Sequence, residues 1–239
     1  MRKAINRILK IYCKFRLKSA LPEIEDKLRQ YGKNSETTGT QWITLWLAVS
    51  EILKHKPLNI LESGTGASTL VLAEAVRAIQ RDDETYKAKI ISMESVQKWY
   101  LVAKDNLPDD YSDIVEIIYG PRKKIEYALF RGYVHQNIPD RNYDYFFLDG
   151  PDFKDEFGTT FCADVIFVAQ RTAKTTLRGV IDGRASTAFV LQTLLGVRSA
   201  RYFVPNMACR FHFDTERLEK NFNSTDFSAG LSGRLKLNI

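Results

Sequence analysis

From Pro57 onward the chain repeats one pattern: a short apolar run, a turn, then a longer segment with helical spacing. LNILES (58–63) reads as a strand and 68–80 as a helix; KIISME (89–94) reads as a strand and 96–106 as a helix. IVEIIYG (114–120) and YDYFFLDG (143–150) give strands three and four, and TTFCADVIFVAQR (159–171) a helix. LRGVID (177–182) is strand five and STAFVLQTLLG (186–196) the helix after it. ARYFVP (200–205) and ACRFHFD (208–214), only two residues apart, read as an antiparallel pair. Strands joined through helices must run parallel, and the crossovers then cover both faces of the sheet.

The expected fold is therefore α/β, a doubly wound, Rossmann-like, mostly parallel seven-stranded sheet with an antiparallel C-terminal hairpin. At 239 residues the chain fits one such domain over 58–215, preceded by accessory helices in 1–57 and followed by a tail, 216–239. One accessory helix is expected over 40–55, where Trp42, Leu45, Trp46, Val49, Ile52 and Leu53 keep a 3.6-residue period. Open sheets of this kind bind ligands outside the carboxyl ends of their strands, where the strand order reverses. Glu94, Gly120, Asp149 and Asp182 each end a strand, as does the glycine turn after the first.

Composition restricts the setting. Hydrophobic residues are 44% and charged residues 27%, the usage of ordinary folded proteins. Cys13, Cys162 and Cys209 are too few and too scattered for a disulfide framework or a zinc site, which implies a reducing compartment. His55, His135 and His212 show no ligand spacing, so no metal site is assigned. No run approaches the ~20 apolar residues that span a bilayer, and basic residues interrupt the N-terminus where a secretory signal needs an apolar core. A cytoplasmic protein is expected.

The net charge is +6, and Arg2, Lys3, Arg7, Lys10, Lys14, Arg16 and Lys18 concentrate it at the start. Ile5, Ile8, Leu9, Tyr12 and Phe15 recur among them at helical spacing. Such a helix packs on its own domain or on a second subunit of a homodimer, or it makes peripheral contact with a membrane; packing is the preferred reading.

The turn in NILESGTGASTLVLAEAV (59–76) carries the chemistry. Gly64 and Gly66 remove Cβ atoms that would hold a ligand off the backbone, and the helix start offers free N–H groups that Ser68 and Thr69 can cap. A dinucleotide loop wants G-x-G-x-x-G, but Thr69 holds the third position and Glu62 precedes the first glycine by two. A carboxylate there repels pyrophosphate and suits an ammonium group. Glu94, at the end of the next strand, can accept both hydroxyls of a ribose. A ribose joined to an amino-acid head describes S-adenosylmethionine.

Over residues 38–215 the sequence resembles the class I S-adenosylmethionine-dependent methyltransferases, with the small catechol and caffeoyl-coenzyme A O-methyltransferases the nearest in pattern. LESGTGAST is similar to the family's first motif, YDYFFLDGPDF to its fourth-strand motif, and TTGTQWITLWLAV to the segment closing over the cofactor. The resemblance implies that Glu62, Ser63, Gly64, Thr65, Gly66, Ser68 and Thr69 hold the methionine part. It gives the ribose to Glu94 and Ser95, the adenine edge to the Tyr119-Gly120-Pro121 loop, and the donor–acceptor side to Asp149.

The catechol-type enzymes also bind a divalent cation, with an asparagine after the strand-five carboxylate and a lysine base three residues after the strand-four aspartate. Here Gly183 follows Asp182, Arg184 comes next, and Asp152 takes the place of the lysine, with Lys154 two places on. A metal-free O-methylation is therefore expected, with Asp149 or Asp152 as general base and Arg184, with Arg122 or Lys123, orienting an anionic small-molecule or glycan acceptor. A non-catalytic cofactor-binding protein, a metal-dependent catechol-type enzyme and a nicotinamide oxidoreductase are the alternatives. Nucleic acid ranks below a small acceptor, because the basic charge is mostly N-terminal and DGPD stands where a base-flipping motif would follow strand four.

Overall fold

A computed structural model describes residues 2–33, 41–150, 154–156, 158–173, 175–204 and 208–218. The apolar runs form a seven-stranded sheet from β1 (Asn59–Ser63), β2 (Lys89–Glu94), β3 (Val115–Tyr119), β6 (Tyr145–Leu148), β10 (Thr176–Ile181), β11 (Ala200–Val204) and β12 (Ala208–Asp214). Its order is β3-β2-β1-β6-β10-β12-β11. β1 pairs in parallel with β2 on one side and β6 on the other, so the strand order reverses between β1 and β6. β12 runs antiparallel to both β10 and β11. The expected doubly wound sheet with its terminal hairpin is the observed one.

Burial explains why these runs are strands. All four residues of β6, YFFL, are buried, as are Ile60, Leu61, Glu62 and Ser63 of β1, because helices cover both faces. The covering helices are α4 (Ala67–Asp82), α5 (Gln97–Asn106), α6 (Asp164–Arg171) and α7 (Ala185–Leu195), with α3 (Trp42–His55) added from the N-terminal segment. Residues on nearly every side of α3 are buried, including Ile43, Leu45, Leu47, Val49 and Ile52, since it lies between α1 (Arg2–Ala20), α4, β10 and β12.

The N-terminal helices belong to the same core as the sheet. Cys13 and Leu17 of α1, Leu21, and Ile24 and Tyr31 of α2 (Ile24–Lys33) pack in one cluster with Leu70, Val71 and Leu72 of α4. The face of α1 that packs differs from the expected one. Leu9, Cys13 and Leu17 turn inward, while Ile5, Ile8, Tyr12 and Phe15 lie in solvent. The inward stripe is held by α3: Lys14 lies 4.9 Å above the Trp42 ring and Arg16 5.1 Å above Trp46. Lys14 also reaches Glu25 of α2 at 2.7 Å, and Lys18 pairs with the same carboxylate.

Two segments depart from expectation. Residues 121–142, which carry no periodic signal, form the hairpin β4 (Arg122–Tyr127) and β5 (Phe130–His135), turned by Ala128 and Leu129 with φ of 47° and 71°. The helix expected over 159–171 begins only at Asp164. Phe161 and Cys162 instead form β9 (Phe161–Cys162), paired in parallel with Gly132 and Tyr133 of β5. An open strand edge supplied by the hairpin outcompetes the first turn of the helix there. Of the tail, only residues to Leu218 are described.

Leu17→Ala, which removes a fully buried side chain joining α1 to the core, is expected to lower unfolding free energy by about 2–5 kcal/mol. Denaturant titration should show a lower midpoint with unchanged slope.

Candidate functional site

Gly64, at the end of β1, has φ 94° and donates its N–H to the Met93 carbonyl at 2.9 Å. Its backbone lies against Gly150 after β6: a Cβ on Gly150 would meet Gly64 Cα at 2.5 Å. Neither position tolerates a side chain, and the two strand-end loops touch across the point of reversal. The β1–β6 ladder continues into this contact, with the Asp149 N–H donating to the Ser63 carbonyl at 3.0 Å.

At the start of α4, Thr69 does what a capping residue does from inside the helix. Its hydroxyl oxygen accepts the Gly66 N–H at 3.0 Å and its proton goes to Glu62 Oε2 at 2.6 Å. Ser92 donates to the same oxygen at 2.7 Å. Glu62 Oε1 is buried with no hydrogen-bond partner among the described residues. Burial pushes the Glu62 pKa up to about 7 and the charge of Glu94 adds to the rise, against the hydroxyls of Ser92, Thr69 and Ser68. Thr65 and Thr69 hydroxyls lie 3.1 Å apart on the same loop.

Around this loop stand the other predicted carboxylates. Glu94 Oε1 accepts the N–H groups of Ser95 and Val96 at 2.7 and 2.8 Å, so one oxygen caps the start of α5. The Ser95 hydroxyl is buried without a partner among the described residues. Gly120 donates its N–H to the Glu94 carbonyl at 2.8 Å, and the Gln136 backbone passes so close that no Cβ fits. Asp149 is half-buried; desolvation pushes its pKa up to about 7, Asp182 and Glu62 reinforce the shift, and Arg184 opposes it.

Asp182 and Arg184 form a buried two-pronged pair. Arg184 Nε donates to Oδ1 at 2.7 Å and its terminal nitrogen to Oδ2 at 2.9 Å, with the Arg184 backbone N–H also on Oδ1 at 3.1 Å. Both oxygens of the strand-five carboxylate are thus engaged by a guanidinium, a donor set that does not suit a divalent cation. Among the described residues no cluster of three or more His, Cys, Asp or Glu side chains is arranged to hold a metal. Arg122 and Lys123 lie on β4, where Arg122 stacks 4.8 Å from the Tyr133 ring. Asp152 falls outside the described residues, and Lys154 opens the short strand β7 (Lys154–Asp155).

Sequence reasoning missed three contributions. Gln41, just before α3, donates from Nε2 to Asp149 Oδ1 at 3.2 Å. Tyr31 of α2 is buried in the core cluster with Leu70, and its pKa is raised first by desolvation and then by the charges of Glu62 and Glu94, so α2 lies within the field of these carboxylates. Beneath the loop lies a wholly buried network. Ser63 Oγ donates to Asp164 Oδ2 at 2.7 Å, which also lies 2.6 Å from His135 Nδ1, while Asp164 Oδ1 accepts the His135 backbone N–H at 2.7 Å. Burial would raise the Asp164 pKa, but His135 and the Ser63 hydroxyl outweigh it and hold the carboxyl below its ordinary value. The motif ESG hinted at Ser63; nothing in the spacing of His135 and Asp164 links them to it.

Replacing Asp164 by Asn leaves His135 and Ser63 buried without their anionic partner, and a loss of about 3–5 kcal/mol is expected in chemical unfolding. Ser63→Ala, removing the hydroxyl that donates to Asp164 and lies near His135, Cys162 and the Gly150 carbonyl, should cost about 1–3 kcal/mol.

No protein-family model matches the sequence, and no curated protein matches it significantly. Among solved structures, an SAH-bound methyltransferase of Podospora anserina superposes with a TM-score of 0.50 at 18% identity, covering 81% of this chain and 74% of that one. A SAM-dependent methyltransferase from Aquifex aeolicus gives 0.46 at 12% identity, over 77% of this chain and 98% of that one. With the strand order β3-β2-β1-β6-β10-β12-β11, its reversed β12 and the glycine loop after β1, the chain has the class I methyltransferase fold.

Proposed function

We propose that the protein is an S-adenosylmethionine-dependent methyltransferase that methylates a hydroxyl of a small-molecule or glycan acceptor without a metal ion. The observation that carries this reading is the charge around the glycine loop. Burial pushes the pKa values of Glu62 and Asp149 up to about 7, and repulsion by Glu94 on the first and by Asp182 and Glu62 on the second adds to the rise. A ligand bringing positive charge relieves that repulsion; one bringing phosphates adds to it. The unpartnered Glu62 Oε1 and Ser95 hydroxyl are polar atoms that such a ligand would satisfy.

S-adenosylmethionine supplies a methyl group made electrophilic by a sulfonium. The residues of the chain bind and align. Glu62 with the Ser63–Thr69 loop receives the amino-acid head, Glu94 and Ser95 the ribose, and the Gly120 turn the adenine edge. Alignment in a direct displacement supplies on the order of 7–11 kcal/mol. Asp149, ionised, accepts the proton leaving the acceptor hydroxyl, with Gln41 orienting its Oδ1. Asp152 is the alternative base. Arg184 occupies both oxygens of Asp182 and so keeps that carboxylate out of reach of the acceptor hydroxyl's proton. The same pairing argues against the metal-dependent, catechol-type route.

Calorimetric titration with S-adenosylmethionine, its demethylated product and NAD tests the reading. Micromolar binding of the first two, lost in Glu94→Ala, is expected; no binding, or preference for NAD, overturns it. Asp149→Asn should spare that binding while lowering methyl transfer to an acceptor panel by about 10²–10⁴-fold; unchanged turnover removes Asp149 from the mechanism.

The pH dependence has a definite sign. Both raised carboxyls bind protons in the folded protein at pH values where the unfolded chain has released them, so stability without ligand falls as pH rises from about 4 to 7. S-adenosylmethionine affinity should rise over the upper part of that window as Glu62 ionises. Thermal melts at several pH values, with Asp149→Asn flattening the stability trend, and titrations of the parent check it.

A further inference from the structure

The surface of α1 divides into three stripes. Leu9, Cys13 and Leu17 face the core; Ile5, Ile8, Ile11, Tyr12 and Phe15 form a second apolar stripe exposed by 50, 66, 63, 47 and 66%, with Tyr12 meeting Arg16 of the same helix. Between these, on the remaining side, lie Arg7 and Lys10, both exposed, with Lys14 and Lys18 further along. The helix sequence RKAINRILKIYCKFRLKSA holds seven basic residues and no acidic one. A contiguous exposed row of three isoleucines and two aromatic rings on a helix about 28 Å long exceeds the scattered apolar exposure of ordinary surfaces.

We infer that this outer face of α1 docks the protein on an anionic lipid surface, the apolar stripe entering the headgroup boundary and the basic flank meeting the lipid charge. Three features select that occupant. The inner stripe already anchors α1 to α3, so the outer one is not needed for folding. A second copy of the same helix would bring another seven positive charges against the first, with only Glu25 nearby to offset them through Lys14 and Lys18. An anionic bilayer supplies both complements at once, apolar depth and negative charge. Among the described residues no helix is long and apolar enough to cross a membrane, so the contact lies along the surface.

Flotation of the full chain with vesicles of phosphatidylcholine alone, or with one-third phosphatidylglycerol, tests this. Binding to the anionic vesicles only is expected, weakening with added salt, since each basic residue near such a surface multiplies affinity about fivefold. Ile8→Asp/Phe15→Asp should abolish binding and leave the melting temperature unchanged, because both side chains are exposed. A charge-preserving control, Lys10→Arg, should bind as the parent does. No binding to anionic vesicles, or binding unaffected by the double substitution, overturns the inference. So does a dimer in light scattering that the double substitution dissolves, which would assign the face to a second copy.

Discussion

The backbone of Gly64 rests on that of Gly150, and the site follows from that contact. β1 and β6 are hydrogen-bonded along Ile60–Ser63 and Tyr145–Leu148, and the Asp149 N–H extends the ladder one residue to the Ser63 carbonyl. With no Cβ on either glycine, the two strand-end loops close to contact distance. Glu62 and Asp149 are thereby brought into the same field, although 87 positions separate them.

Buried acids in this protein fall into two groups. Glu74 is matched by Lys27 at 2.5 Å and by the Tyr111 hydroxyl, Asp164 by His135 and Ser63, and Asp182 by Arg184. Those contacts hold α2 to α4, β5 to α6, and the end of β10 to the start of α7. Glu62 and Asp149 have hydroxyl or amide donors but no cation of their own. Beside the glycine loop Glu62 Oε1 and the Ser95 hydroxyl are buried without partners among the described residues, a pattern that suits a ligand-binding site. A cationic ligand would recover the cost of leaving these carboxyls unmatched.

The sheet was legible because its strands are buried on both faces and therefore read as largely apolar runs, such as YFFL in β6, between helices of clear period. The strand-end acids were legible for the same reason, since a polar residue closing such a run is conspicuous. The hairpin over 122–135 was not, because β4 opens with three basic residues, Arg122, Lys123 and Lys124, and alternates weakly. β9 depended on that hairpin's edge and so was read as helix. α1 misled differently: it has two apolar stripes, and spacing alone does not say which one a partner helix covers. Trp42 and Trp46 of α3, stacked under Lys14 and Arg16, decide it.

By itself the sequence determined the order and kind of the main elements, the glycine loop and the acids that end β1, β2, β6 and β10, because these rest on periodicity and on neighbours a few residues apart. Tertiary structure decided which of those groups meet. That Ser63, His135 and Asp164 share one buried network, that Gln41 reaches Asp149 and that Lys27 meets Glu74 all depend on contacts between distant parts of the chain. Such contacts are fixed by how whole faces pack, and a linear pattern carries the faces but not their partners.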